Sequence, residues 1–289
     1  MRILCLIGIL LPLTVVAAPV TAPTPGPVLP SLARKKALRV GMYPGTSPFV
    51  ALDAAADDLR RIVGDKAPPA TATVDGHRVA GFDVDLMVEA ARALDLPLEV
   101  VLVDKFEDLL TGLQAGRYDI AISAITRTLD RAITVAFSDP YFSTGLVLLT
   151  RHPERFATFE SVRHTGVKVA FRRGTTAAAF VEENLPECTR VPGTVEELTK
   201  LIDSDGPESP DVFAVDYLLA RDLEVRHQTK ATLSSVEERR YTVEQLAFAV
   251  RQGDGDWLNW LNLYLRQIRS AGSFHKIAAR YNLWFRTER

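Results

Sequence analysis

Five histidines, two cysteines and many carboxylates supply the residue types that catalysis and metal binding use. Their spacing supports neither. His77, His152, His164, His227 and His275 lack metal-ligand spacing, so no metal site is expected. Cys5 and Cys188 have no spaced partner for a nucleophile motif, and the chain has no Gly-x-Ser-x-Gly elbow and no Walker loop. What the residues do offer is non-covalent recognition of charge. Thr175 and Thr176 follow Gly174 just before a helical stretch. Free N–H groups at a helix N-terminus suit a carboxylate, although a threonine there also serves as an ordinary cap. Arg172 stands beside that loop and either meets a ligand or is solvated. Asp216 closes the strand-like run Asp211-Val212-Phe213-Ala214-Val215-Asp216 and can cap a helix from Tyr217.

The elements that must position these groups alternate. Leu38-Arg39-Val40-Gly41-Met42 reads as a strand followed by a turn-rich loop from Tyr43 to Pro48. Residues 51–63 carry apolar positions at helical spacing, stopped by Gly64 and Pro68-Pro69. A helix capped by Asp83 is expected over 82–96, a strand over 98–103, a helix over 106–115 and an apolar strand over 118–125. Strands over 146–150, 167–171, 212–215 and 246–250 alternate with helices in the second half, and 257–284 reads as largely helical. The alternation argues an α/β architecture.

Composition bounds the rest. The 289 residues are 47% hydrophobic and 24% charged, a globular balance for one or two domains. Lys+Arg is 34 and Asp+Glu is 36, and a net charge of -2 argues against coating nucleic acid. Arg2, the apolar run Ile3–Leu11, Pro12 and the small residues Val15 and Ala17 read as a signal peptide cut after Ala17. Its removal leaves Cys188 alone, so no intramolecular disulfide is expected. No later run reaches the roughly 20 apolar residues of a membrane helix, so a soluble exported protein is expected. Residues 18–31 are Pro-rich and suit an extended, unpacked linker.

Three segments carry a resemblance. They are Leu38-Arg39-Val40-Gly41 with Pro48-Phe49, Gly81-Phe82-Asp83-Val84-Asp85-Leu86, and Tyr118-Asp119 through Arg131, running into Phe137-Ser138-Asp139-Pro140-Tyr141. Together, over about 32–285, they resemble the periplasmic polar-amino-acid-binding proteins, extracellular solute-binding family 3, with the type II periplasmic binding fold. The resemblance implies two α/β lobes, a hinge of two crossing strands near 143–145 and 243–245, and a ligand cleft between. It divides the chain into signal peptide (1–17), linker (18–31), first lobe (32–142), second lobe with hinge strands (143–247) and a return to the first lobe (248–289). It implies that Arg131 grips a ligand carboxylate through its planar fork and that Asp216 binds the α-ammonium. Ala124 and Thr126 fall where the family uses backbone groups and a hydroxyl, and Phe106 and Tyr43 are expected to wall the side-chain pocket. The resemblance further implies a monomer without cofactor that delivers a small amino acid or analogue to an inner-membrane ABC permease.

Some members of this fold are cyclohexadienyl dehydratases, and Thr128-Leu129-Asp130-Arg131 looks like either group. Those enzymes carry a glutamate after the Gly-Thr loop. Here Gly174-Thr175-Thr176 is followed by alanines, and the first acids are Glu182 and Glu183, which argues against the enzyme.

Overall fold

Strands form where runs of apolar residues can be covered on both faces. In the computed structural model, which describes residues 26–32, 34, 36–53, 72–204, 206, 209–221 and 233–283, the five residues Leu146–Thr150 are all buried. Such continuous burial is what a sheet sandwiched between helices requires. The expected signal peptide, residues 18–25, the expected helix beyond Asp53 and the chain past Leu283 lie outside the described residues.

The strands are β1 (Leu38–Met42), β2 (Ala51–Leu52), β3 (Ala72–Val74), β4 (His77–Ala80), β5 (Leu98–Leu102), β6 (Ile120–Ala121), β7 (Val135–Phe137), β8 (Phe142–Thr144), β9 (Leu146–Thr150), β10 (Lys168–Arg172), β11 (Thr189–Gly193), β12 (Val212–Asp216), β13 (Ser234–Ser235), β14 (Glu244–Leu246) and β15 (Ala249–Arg251). They build two five-stranded sheets, ordered β5-β1-β6-β15-β7 in the first lobe and β11-β10-β12-β9-β13 in the second. In each, three neighbouring strands run parallel and the fourth in order pairs antiparallel with both of its neighbours. Helices Phe82–Ala93, Asp108–Gln114, Gly255–Ser270 and Ser273–Arg280 accompany the first sheet, and Thr176–Asn184 and Val195–Asp203 the second.

The chain passes between the sheets twice. β8 leads from β7 to β9, β14 leads from β13 to β15, and the two pair antiparallel with Glu244 opposite Thr144. A Cβ at Gly145 would stand 2.1 Å from the Thr242 carbonyl oxygen, so only glycine lets the crossing strands approach this closely. The two-lobe fold with a crossing-strand hinge is therefore present.

Several expected elements differ. Ala51 and Leu52 are strand, because they pair with Ala80 and Val79 in a small β2-β4-β3 sheet beside the first lobe. The strand expected over 118–125 pairs only at Ile120 and Ala121 before Ala124 turns to φ +50°. The strand expected over 246–250 breaks between β14 and β15, where the chain leaves the hinge for the sheet. Within the segment read as unpacked linker, Val28–Leu32 is a short helix with Val28 buried and its N–H donated to Asp254 Oδ2 at 2.8 Å. Pro30 sits in its first turn, where no N–H is needed for intrahelical bonding.

Candidate functional site

A cavity of ≈ 60 Å³ opens where the two lobes meet beside the hinge. Loop residues of the first lobe, strand ends of the second and Glu244 of the crossing strand β14 line it.

The first lobe's wall is fixed before any ligand is considered. The chain leaves β6, turns through Ala124 and returns as Thr126, whose backbone bridges Leu246 next to the hinge. Asp83 holds this turn. It does not cap its own helix; it turns into the core, where Oδ2 accepts from the Ala124 N–H at 2.9 Å and the Tyr141 hydroxyl at 3.1 Å. Burial outweighs both bonds and pushes its carboxyl up to about 7. The Ala124 N–H is thus already engaged, which leaves the backbone expectation at this residue to its carbonyl. Thr126 donates its hydroxyl to Glu244 Oε2 at 2.7 Å.

Arg131 lies in the short helix Leu129–Ala132, whose cap is Thr128, a hydroxyl accepting from the Arg131 N–H. Its guanidinium folds back so that Nη1 donates to the Thr126 carbonyl at 2.7 Å and Nη2 to the Gly174 carbonyl of the other lobe at 3.0 Å. It also lies over the Phe106 ring, 5.8 Å from the centroid. Burial lowers its pKa, and the nearby negative charge of Glu244 opposes that.

The second lobe's wall comes from the ends of two neighbouring strands. Asp216 closes β12, and its Oδ1 accepts from the Leu218 N–H at 2.8 Å, so the capping role read from the sequence is present. Burial pushes its carboxyl up to about 6; the Leu218 bond works against that, and Glu244 adds to it. Arg172 closes β10 and reaches across to donate Nη1 to the Gly45 carbonyl at 3.2 Å. Thr175 bonds back to the Arg172 carbonyl at 2.7 Å, and Thr176 opens the helix Thr176–Asn184.

Eight of the nine sequence-derived residues therefore line one cavity: Arg131, Asp216, Thr126, Ala124, Thr175, Thr176, Phe106 and Arg172. Tyr43 does not. It stands one layer back, its ring edge-on to Phe106 with centroids 5.9 Å apart, and Thr46 and Ser47 take the wall position instead. The sequence reading missed Glu244, a buried carboxyl on β14 at the cavity wall, and the apolar surfaces of Leu146, Val215 and Leu219. Glu244 lies 118 positions from its Thr126 partner and belongs to no motif, so no local signal marks it. Glu182 and Glu183 are exposed, and Glu182 pairs with Arg190 at 3.6 Å rather than entering the cavity. Among the described residues no cluster of three or more His, Cys, Asp or Glu is placed to hold a metal.

The charges are arranged to stay apart. Both arginines donate to backbone carbonyls, and both acids accept from hydroxyls or a backbone N–H. Such a site can hold a small dipolar molecule by placing each of its charged ends against an opposite charge.

Comparison with known proteins gives a consistent set. Residues 59–284 match the bacterial extracellular solute-binding proteins, family 3. An arginine-binding protein of an ABC transporter of Escherichia coli strain K12 is 25% identical over 234 residues, 80% of this chain and 92% of that protein. The crystal structure of an ancestral amino acid-binding protein, a precursor of cyclohexadienyl dehydratase, superposes with a TM-score of 0.71 at 25% identity, covering 89% of this chain and 99% of that one. A cyclohexadienyl dehydratase of Pseudomonas aeruginosa is 31% identical over 162 residues, 55% of this chain and 58% of the enzyme.

Proposed function

Because the chain belongs to the bacterial extracellular solute-binding proteins of family 3, we propose that it is an exported two-lobe receptor that binds one amino acid zwitterion in its cleft. It then presents that solute to the membrane permease of an ABC importer. Arg131 holds the ligand's carboxylate, and Asp216, with Glu244 behind it, holds the α-ammonium. The observation that carries this reading is the separation of charge across the cavity: guanidinium and carboxylates line one space without pairing to each other. A ligand inserted between them gains charge-assisted bonds at both ends, each worth roughly 1.5–3 kcal/mol. The relatives support it, since the arginine-binding protein serves an ABC transporter and the ancestral structure binds an amino acid.

In this reading the first lobe comprises 32–142 and 248–289, and the second 143–247. The signal peptide over 1–17 carries the chain out of the cytoplasm, the protein works as a monomer, and binding is lobe closure with no cofactor and no covalent step. Leu246 and Phe142 pair in the crossing strands that would flex.

The dehydratase relative and the protonatable Asp216 in the cavity give a second reading, elimination of water and carbon dioxide from prephenate or arogenate. One experiment separates the two. Thermal shift of the purified protein is measured with the common amino acids, prephenate and arogenate, and each mixture is assayed for product. Receptor function predicts a raised melting point with an amino acid class and no turnover. Phenylpyruvate or phenylalanine formed from prephenate or arogenate would replace it with the enzyme.

A further inference from the structure

Arg172 is the charged group in the cavity that head-group binding leaves unassigned. Its guanidinium reaches from the end of β10 over the Phe106 ring, 4.4 Å from the centroid, and over Tyr43 at 5.6 Å. One N–H is donated, to the Gly45 carbonyl at 3.2 Å. A guanidinium has five N–H donors, so most of its capacity is unspent among the described residues. No carboxylate lies in ion-pair contact with it among those residues, whereas its neighbour Arg173 pairs with Glu197 at 3.5 Å. Asp216 and Glu107 act on it only at longer range. Arg172 is half-buried, and a partly desolvated cation with unspent donors is unfavourable until an anion or acceptor meets it.

Arg131, Asp216 and Glu244 line the cavity with Arg172. Arg172 bonds the Gly45 carbonyl and shares the Phe106 ring with Arg131, so the wall carries a second guanidinium close to the first. A zwitterionic head group has one carboxylate, taken by Arg131 in the reading above, and leaves the second guanidinium unmatched. A ligand side chain that ends in oxygen acceptors can match it, beside the apolar surfaces of Leu146, Val215 and Leu219 in the same cavity. A cationic side chain would meet a like charge there.

We propose that Arg172 sets the specificity of the cleft by binding a ligand side chain that ends in oxygen acceptors, a carboxylate in preference to a carboxamide, and by rejecting cationic side chains. The planar fork matches a carboxylate with two parallel bonds and a carboxamide with one. The inference rests on the amino-acid reading above. It separates this chain from the arginine-binding protein it is similar to.

The test is calorimetric titration of wild-type protein and Arg172→Met with L-glutamate, L-aspartate, L-glutamine, L-asparagine, L-arginine, L-lysine and L-leucine. Wild type should bind an acidic amino acid at least about tenfold more tightly than arginine or lysine, with an amide between. Arg172→Met should collapse that ratio by about tenfold or more. The ratio is read within one variant, so partial loss of folded protein does not imitate it. Arginine or lysine binding more tightly than glutamate, or an unchanged ratio in Arg172→Met, overturns the assignment but not the amino-acid reading. Binding of no amino acid at all overturns both.

Discussion

The two walls of the cleft are held in different ways. On the first lobe, the Ala124 turn and Thr126 are fixed by partners distant in sequence: the Ala124 N–H by Asp83, Thr126 by Glu244, and the Ala124 turn by Tyr141 through the same Asp83. On the second lobe, the groups are fixed by their own neighbours: Asp216 by Leu218, and Thr175 by the Arg172 carbonyl. Two arginines then tie the walls together, Arg131 to the Gly174 carbonyl and Arg172 to the Gly45 carbonyl. In the proposed closure, the first wall is a preformed half-site and the second a pair of strand ends brought to it. Preformed geometry lowers the ordering cost of binding, so the strongest contact belongs on the rigid side.

The largest effect should therefore fall on the first wall. Arg131→Ala removes the carboxylate fork and one inter-lobe bond, and should weaken the best ligand by roughly 10- to 100-fold, read by calorimetry. An effect within about twofold would reverse the ranking of the walls.

The second wall should respond to pH. Burial pushes the Asp216 carboxyl up to about 6, and a ligand ammonium needs it ionised. Affinity should be flat above about pH 7 and fall about tenfold by pH 5. In Asp216→Asn it should be weak and without that inflection, as titration across pH 5 to 8 would reveal.

Asp83 offers a smaller, purely structural counterpart on the first wall. Its folded-state pKa of about 7 lies above the ordinary carboxylate value of 3.8, so the folded protein holds a proton that the unfolded chain releases. Stability should accordingly decline as pH rises from about 4 to about 7 and level off above. Denaturant melts of Asp83→Asn should show a shallower slope over that window.

The smallest effect sharpens the contrast between adjacent arginines. Arg173 is exposed, with its guanidinium on Glu197 and the Pro192 carbonyl. Arg173→Ala should leave affinity within about twofold, because exposed pairs contribute little.

The sequence made some of this legible and hid the rest for a physical reason. Arg131, Thr126 and Ala124 sit in one continuous segment, and Gly174-Thr175-Thr176 precedes a helix, so local order alone brings them to notice. The alternation of apolar runs likewise disclosed the two α/β sheets. Contacts across long loops left no such trace. Glu244 meets Thr126 only because β14 crosses beside it, and Val28 is buried only because Asp254, 226 residues later, accepts its N–H. Asp83 reads as a helix cap from its neighbours, yet the inward pull of Ala124 and Tyr141 wins. Tyr43 is displaced from the cavity wall by Phe106, a packing outcome that aromatic content cannot reveal.

The central claim is that Arg131 meets the ligand's carboxylate. It is tested most directly by comparing the best-binding amino acid with its carboxamide on wild-type protein and on Arg131→Ala. The account predicts that amidation weakens binding at least about tenfold in wild type and by no more than about twofold in the variant, since the partner of the carboxylate is then gone. An equal loss on both proteins would mean that the carboxylate is held elsewhere, and the site would have to be assigned anew.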